Sequence, residues 1–293
     1  MSTIQAAAIS HACCIGANSR CRRATVEIME KHLDYFKANI HSQNGEDGVI
    51  AEIIRRTGLV VNQDFWCVEF GAWDGVHLSN TFALVESNSA TAVMIEGDQE
   101  KFEILKKTAE KYPSIIPVEG FVTGNQISNK SPVTGAFTGT FNRQKMATLD
   151  QLLGTTHCPK DYDLLSIDID SYDLEVWAAH QAFTPKIVVI EINSSLEPGI
   201  LQWHGRGNLG NSFSSTLSVA NAKGYSLVCH TGNMIFVRND LADLVGLVEL
   251  DREFSERLFN TAWLPSHQTP KTNLSKNRVI RLLQKVVRRL LGV

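Results

Sequence analysis

The sequence predicts an α/β fold: a mostly parallel seven-stranded sheet that ends in an antiparallel hairpin and carries helices on both faces. Short apolar runs alternate with helical patterns between residues 65 and 192. The runs are almost continuously apolar, which is typical of parallel strands covered on both faces. Two further runs, joined by the tight-turn sequence H-T-G-N, complete the pattern as a hairpin.

The individual elements follow from local periodicity. Apolar runs predict parallel strands at 65–69, 92–96, 116–121, 164–168 and 187–192. Helical spacing predicts helices at 25–38, 49–56, 80–87, 99–111, 149–153 and 174–182. A helix at 213–223, stopped by Gly224, precedes the hairpin strands 225–229 and 234–238.

The composition is that of a globular protein. The chain has 293 residues, of which 43% are apolar, and a net charge of −3, so no overall attraction to nucleic acid is expected. Six cysteines form no CxxC pair, and Cys67 and Cys229 lie in apolar runs, so we expect buried, reduced thiols and a cytoplasmic location. No apolar run approaches the roughly 18 residues of a membrane-spanning helix.

The stretch V-E-F-G-A-W-D-G, residues 68–75, lies where the first strand should end. Gly71 and Gly75 allow a tight turn and a second close approach of the backbone to a ligand. Trp73 occupies the place of the second glycine of a dinucleotide fingerprint. Glu69 and Asp74 would repel a pyrophosphate and attract an ammonium group. The loop therefore predicts a site for a cationic nucleoside; the alternative is a glycine turn without a ligand.

Glu96 ends the second predicted strand in the sequence M-I-E-G-D. It follows Gly71 by 25 residues, near the offset at which doubly wound nucleotide sites place a ribose-binding carboxylate. Its two oxygens can accept hydrogen bonds from both ribose hydroxyls. Glu69 and Glu96 together favour a nucleoside ligand more strongly than either does alone.

Carboxylates also end the fourth and fifth predicted strands. Asp168 and Asp170 should point the same way if the strand continues through both, with Glu191 and Asn193 beside them. Oxygen ligands of these types suit Mg²⁺, which predicts a metal site. The alternative is a metal-free site in which Asp168 orients the ligand amine or acts as a base. Asp173 is expected to cap the next helix or lie in its first turn.

Two further stretches are polar and glycine-rich. Residues 205–210, G-R-G-N-L-G, match a dinucleotide motif literally, but no apolar strand leads into them. We interpret them as part of a loop over the acceptor site, where His204 and Arg206 could meet substrate and His204 is a candidate base. Residues 42–48, S-Q-N-G-E-D-G, predict a turn and helix start whose side chains could also cover the cofactor.

Residues 275–293 predict a basic amphipathic helix after a polar linker. One face is apolar, and the rest carries lysine and arginine. One interpretation is a helix docked on the domain or in a homo-oligomer. The other is an interfacial helix on anionic lipid, which would place the protein at the inner face of a membrane.

Taken together, these motifs resemble the FkbM-like branch of class I S-adenosylmethionine-dependent methyltransferases, whose Rossmann-like sheet ends in an antiparallel strand. The resemblance covers roughly residues 41–240, and Ser171 departs from it where glycine is expected. It implies S-adenosylmethionine as methyl donor, a hydroxyl acceptor and a reaction centre at Asp168. The implied donor-binding residues are Glu69, Gly71, Ala72, Asp74, Gly75, Ser79, Asn80, Glu96, Gly97 and Asp168.

The resulting hypothesis is an O-methyltransferase acting on a sugar, glycan or related natural product. Residues 41–264 would form the methyltransferase domain, between an arm and helix at 1–40 and the linker and helix at 265–293. The first alternative is a catalytically degenerate binding module with the same fold, tethered to a membrane. The second is a nicotinamide-dependent enzyme, which Trp73 and the final hairpin disfavour.

Overall fold

The computed structural model describes residues 32–124, 145–205, 207–247, 249–265 and 268. The predicted arm at 1–24, Arg206 and the basic helix at 275–293 lie outside the described residues. Within the described ranges, none of the helices combines the length and hydropathy that crossing a bilayer requires.

Among the described residues, seven strands form the main sheet in the order β3-β2-β1-β6-β7-β9-β8. The first five of these are parallel, and β9 runs antiparallel to both β7 and β8. The strands are β1 Trp66–Phe70, β2 Thr91–Glu96, β3 Ile115–Glu119, β6 Leu164–Ile167, β7 Ile187–Glu191, β8 Tyr225–His230 and β9 Asn233–Arg238. The predicted Rossmann-like sheet with its closing hairpin is confirmed.

The helices connect the strands and cover both faces of the sheet. They are α1 Glu46–Thr57, α2 Phe82–Asn88, α3 Gln99–Lys111, α4 Leu149–Leu153, α5 Asp173–Ala179, α6 Phe213–Ala222, α7 Asn239–Val245 and α8 Glu249–Glu253. Short 3₁₀ helices lie at Leu33–Phe36 and Ser255–Leu258. Alternate strand residues enter two separate apolar clusters, for example Cys67 on one face and Val68 on the other.

Several predicted boundaries are wrong for identifiable reasons. The run at 116–121 is divided at Gly120 between β3 and β4 (Phe121–Thr123), and β4 pairs in parallel with an unpredicted strand, β5 (Met146–Thr148). Helix α5 ends at Ala179 because the nitrogens of Gln181 and Ala182 donate to Asp150 instead. The described part of the predicted helix at 25–38 ends at Phe36, and Ala38 N donates to Gly45 O.

The cysteines in the described residues are reduced and buried, as predicted for Cys67 and Cys229. Cys158 is the third described free thiol. Burial raises the pKa of all three thiols, to about 12 at Cys158 and Cys229. They are therefore inert core side chains.

Candidate functional site

The carboxyl ends of the central strands place their polar side chains on one face of the sheet. Cys67 in β1 packs in the apolar cluster beneath α1, and Glu69 shares its face because it lies two residues further along the strand. The same alternation adds one polar residue from each neighbouring strand, namely Glu96, Ser166, Glu191 and Asn233. The predicted edge therefore exists, and it is rich in carboxylates.

The turn after β1 depends on glycine because it touches the end of β6. Gly71 has a φ of 74°, and a Cβ atom built on it would lie 2.2 Å from the carbonyl oxygen of Asp168. Ala72 N then donates to a carbonyl of β2 over 3.2 Å. The turn is thereby fixed between the ends of β6 and β2.

The second half of the turn is closed by Asp74 and Gly75. Asp74 Oδ1 accepts hydrogen bonds from the nitrogens of Val76 and His77 at 2.9 and 2.7 Å. Gly75 has a φ of 80°, and a Cβ atom there would meet Leu105 Cδ1 at 2.7 Å. Asp74 thus shapes the turn through one oxygen.

Glu69 braces the segment that follows the glycine turn. Its Oε2 accepts from Ser79 Oγ at 2.6 Å and Thr81 Oγ1 at 2.5 Å, and its Oε1 accepts from Asn80 N at 3.1 Å. Asn80 Nδ2 in turn donates to Ser166 Oγ. Burial raises the pKa of Glu69, and these hydrogen bonds oppose the shift. Ser79 and Asn80, predicted to bind the donor, are engaged with the protein, and Glu69 keeps one unshared acceptor position on Oε1.

Glu96 joins the end of β2 to the glycine turn. Its Oε2 accepts from Trp73 N at 2.8 Å, and its Oε1 accepts from Asp98 N at 2.7 Å. Burial raises the pKa of Glu96. Because a carboxylate has about four acceptor positions, Glu96 can still receive a hydrogen bond from a ligand. Gly97 follows without a side chain, and a Cβ atom there would meet Phe121 at 2.9 Å.

The loop after β6 is shaped by Asp173, the first residue of α5. Its buried carboxylate accepts from Ile169 N at 2.8 Å and Ser171 N at 2.9 Å. Asp170 lies between them with a φ of 56°, a left-handed conformation that aspartate tolerates better than most residues. Strand β6 ends at Ile167, so the predicted continuation of the strand through Asp170 is wrong.

The turn nevertheless brings three carboxylates together. Oxygens of Asp168, Asp170 and Glu191 all lie within 4.8 Å of one another. The two aspartates reach the surface, but the surrounding protein limits the hydration of Asp168 and Glu191. That restricted hydration, together with repulsion among the neighbouring carboxylates, raises the pKa of both groups. Such a cluster favours a bound cation or a bound proton.

Asn193, the predicted fourth metal ligand, is engaged elsewhere. Its Oδ1 accepts from the nitrogen and hydroxyl of Ser195 at 3.1 and 2.5 Å, and its Nδ2 donates to Leu209 O at 2.9 Å. Both acceptor positions of its side-chain oxygen are occupied. Asn193 therefore holds the loop together and does not complete the carboxylate cluster.

His204 is arranged as a donor, which corrects its prediction as a base. Its Nδ1 accepts from Gly210 N at 3.1 Å, so the neutral ring carries its proton on Nε2. Partial burial lowers the pKa of His204. The ring packs edge-on against Tyr172, with centroids 4.6 Å apart. His204 can donate to a ligand, but its free nitrogen cannot take up a proton.

Two site residues were missed by the sequence analysis. Glu46, the buried first residue of α1, accepts from Asn44 N at 2.7 Å, Thr231 Oγ1 at 2.5 Å and Asn233 Nδ2 at 3.2 Å. It thereby connects S-Q-N-G-E-D-G to the hairpin turn beside Glu191. Asn233 is the first residue of β9. The sequence placed it in the H-T-G-N turn between the hairpin strands, which did not indicate a role in the site.

The neighbouring Asp47 shows why the same motif contains two acids. Its Oδ2 accepts from the nitrogens of Ile40, His41 and Ser42 at 2.7 to 2.8 Å. The motif thus forms the predicted turn and helix start. Through Glu46 it also packs against the sheet face that carries the carboxylates.

No protein-family model and no curated protein matches the sequence. Among solved structures, the chain is similar to TrmK of M. capricolum in complex with S-adenosyl-homocysteine, at 14% identity over 82% of this chain and 86% of that one, with a TM-score of 0.38. For a SAM-dependent methyltransferase from Aquifex aeolicus, the identity is 9% over 66% and 87% of the respective chains, with a TM-score of 0.38.

The N-terminal domain of EvdMO1, solved with S-adenosyl-homocysteine and D-fucose, is 8% identical over 75% of this chain and 95% of that one, with a TM-score of 0.37. Methyltransferases thus stand among the structural neighbours of the chain. The strand order and the antiparallel β9 of the chain itself carry the assignment of the fold.

Proposed function

We propose that the protein is an S-adenosylmethionine-dependent O-methyltransferase that acts on a hydroxyl of a sugar or related natural product. The observation that carries the proposal is the charge of the site. Glu96 and the cluster of Asp168, Asp170 and Glu191 flank the glycine turn, and none of them takes part in an ion pair formed by the described residues. Such a site favours a cationic nucleoside and disfavours one that carries phosphates.

The turn and Glu96 supply the features that a nucleoside needs. Glu96 keeps acceptor capacity for the ribose hydroxyls, and Gly71 lets the backbone come close to the ligand. Trp73 is 44% exposed beside them, with Lys101 Nζ 4.3 Å from the ring centroid. The carboxylate cluster lies at the end of β6, where it can face the positive charges of the donor.

The bound donor would supply a methyl group carried on a positively charged sulfur. The acceptor oxygen would form a bond to the methyl carbon while the carbon–sulfur bond breaks, and the sulfur would leave as a neutral thioether. The chain's own residues position the two reactants and receive the hydroxyl proton. Burial and mutual repulsion raise the pKa of Asp168 and Glu191, so a carboxylate of this pair that is ionised is a stronger base than an ordinary one and suits the second task.

The acceptor class is supported by the FkbM-like motifs and by the loop after β7, which follows Glu191 of the carboxylate cluster. The loop after β7 exposes apolar side chains although its backbone is held by Asn193 and Gln202. Leu201 is 76% exposed and Trp203 is 44% exposed. Exposed apolar side chains of this kind can pack against the apolar face of a sugar ring while the carboxylates bind a hydroxyl.

Calorimetry and turnover test the proposal in two steps. S-adenosylhomocysteine should bind with one-to-one stoichiometry, whereas NAD⁺ should not bind. Labelled S-adenosylmethionine should then transfer its methyl group to a member of a panel of sugars and glycosides. Absence of donor binding at millimolar concentration would overturn the proposal. Donor binding without turnover on any hydroxyl acceptor would favour the degenerate binding module instead.

A further inference from the structure

Asn233 carries a buried oxygen that lacks a hydrogen-bond partner among the described residues. The side chain is 7% exposed, and its Nδ2 donates to Glu46 Oε1 over 3.2 Å. Its backbone nitrogen and carbonyl both bond to Thr231. Oδ1 alone is left unsatisfied. A buried acceptor of this kind costs free energy unless something binds to it.

The position of Asn233 in the sheet places its side chain beside Glu191 of the carboxylate cluster. Glu191 and Asn233 are direct partners in the antiparallel pairing of β7 with β9, so their side chains lie on the same face of the sheet. Glu46 holds the amide nitrogen, and the oxygen is on the other branch of the amide. Glu191 in turn lies with Asp168 and Asp170, whose oxygens are within 4.8 Å of one another.

The charge around this group of oxygens is uncompensated. None of the ion pairs formed by the described residues includes Asp168, Asp170 or Glu191. The nearby buried acids Glu46 and Glu69 add to the negative potential at Asp168. Three carboxylates and one amide oxygen form a hard donor set of the kind that binds Mg²⁺ or Mn²⁺.

We propose that Asn233 Oδ1 together with Asp168, Asp170 and Glu191 forms a divalent-cation site. Asn233 takes the place that the sequence assigned to Asn193. The site deepens the proposed methyl transfer and rests on it only for its role, which is to bind the acceptor hydroxyl and ease the loss of its proton. Cation binding itself can be measured in the absence of the donor.

The site can be tested with Mn²⁺ alone. Titration of the full-length protein, with free Mn²⁺ followed by electron paramagnetic resonance, should give one site per chain that Mg²⁺ competes for. Loss of a group that only supports a metal ligand typically weakens metal affinity by about 10–100-fold, so removal of a direct ligand by Asn233→Ala should weaken Mn²⁺ binding by at least about tenfold. Asn193→Ala is the matched control, because its amide holds only the loop, and it should bind Mn²⁺ as the parent does.

Three outcomes would overturn the site: no stoichiometric Mn²⁺ binding, equal affinity in the parent and Asn233→Ala, or an equal loss in Asn193→Ala. Because Asn233 also holds Glu46, thermal unfolding must show that the variant is folded. If it is not, Glu191→Gln serves instead and should also lose the site.

The donor is measured separately, by calorimetry with S-adenosylhomocysteine in the presence of a chelator. Mn²⁺ binding without donor binding keeps the cation site and overturns the methyltransferase. Donor binding without Mn²⁺ binding keeps the methyltransferase and overturns the cation site. In that case the ammonium group of the donor would neutralise the charge of the carboxylates.

Discussion

The backbone nitrogen of Trp73 donates a 2.8 Å hydrogen bond to Glu96 Oε2. This bond ties the turn after β1 to the end of β2, and it holds Trp73 at a φ of 49°, which few bulky residues adopt. Glu96 therefore has two tasks in the proposed site: it shapes the turn, and it presents acceptor positions to the ribose.

Substitution of Glu96 should affect both tasks. Glu96→Ala leaves the nitrogens of Trp73 and Asp98 without their acceptor, which should lower the free energy of unfolding by about 1–3 kcal/mol. Loss of hydrogen bonds to a charged acceptor should weaken S-adenosylhomocysteine binding by about tenfold or more. Urea unfolding and calorimetry measure the two effects.

Glu100→Ala is the control for this substitution. Glu100 is an exposed carboxylate in the first turn of α3, so its removal should change stability by no more than about 0.5 kcal/mol and leave donor binding intact. Unchanged donor affinity in Glu96→Ala would contradict the assignment of Glu96 to the ribose.

Two glycines allow the cost of a left-handed backbone conformation to be measured apart from the cost of a steric clash. Gly71 and Gly58 have φ values of 74° and 73°, but a Cβ atom would meet Asp168 O at 2.2 Å only at Gly71, and nothing within 4 Å at Gly58. Gly58→Ala should cost about 1–2 kcal/mol for the left-handed conformation. Gly71→Ala should cost about 1–3 kcal/mol more, because the end of β6 must move.

Urea unfolding of both glycine variants measures the difference, and calorimetry with S-adenosylhomocysteine measures its effect on the site. Gly71→Ala should also lose donor affinity, whereas Gly58→Ala should keep it. Equal stability losses at the two positions would show that the turn does not depend on close approach to β6.

The parts of the fold that could be predicted are those set by local pattern. Helices 99–111 and 149–153 were predicted to the residue, because apolar spacing, the Asp98 cap and the Thr148 capping box all act within a few residues. The edge with Glu69, Glu96, Asp168 and Glu191 follows from the rule that parallel strands present their carboxyl ends together.

What could not be predicted depends on contacts distant in the sequence. Asn193 and Asn233 are the same residue type near the ends of neighbouring strands, and only the register of β7 with β9 places Asn233 opposite Glu191. The tautomer of His204 depends on Gly210 N, and the engagement of Ser79 depends on Glu69. Periodicity contains no information about such pairings.

The carboxylate cluster should destabilise the protein when no cation is bound. Glu191→Gln removes one of three negative charges whose oxygens lie within 4.8 Å, and the new amide can donate to Asn233 Oδ1. We expect the free energy of unfolding in a chelator to rise by about 0.5–2 kcal/mol. Mn²⁺ should narrow the difference, because it stabilises only the parent.

Glu197→Gln provides the matched control for the cluster. Glu197 lies in the loop after β7, outside the group of three carboxylates, and its substitution should leave stability in the chelator unchanged. A loss of stability in Glu191→Gln would contradict the repulsion inferred for the cluster.

His230 should make the protein less stable in mild acid. Burial, with a contribution from the charge of Lys37, lowers the pKa of His230 to about 3. Its Nδ1 accepts from Asn260 N at 2.9 Å, so the protonated ring would lose that bond, while Nε2 donates to Ser194 Oγ. Because the folded pKa lies below the unfolded value of about 6.5, the native state binds fewer protons than the unfolded state.

The contribution of His230 is therefore fully present above about pH 6.5 and is lost as the pH falls towards 3, at about 2 kcal/mol by pH 5. Urea unfolding at pH 7.5 and pH 5 measures this loss. His230→Asn keeps an acceptor near Asn260 but cannot be protonated, so its stability should fall by about 2 kcal/mol less than that of the parent between the two pH values. His157→Asn, at an exposed histidine, should follow the parent. An identical pH dependence in the parent and His230→Asn would show that the folded state does not lower the pKa of His230.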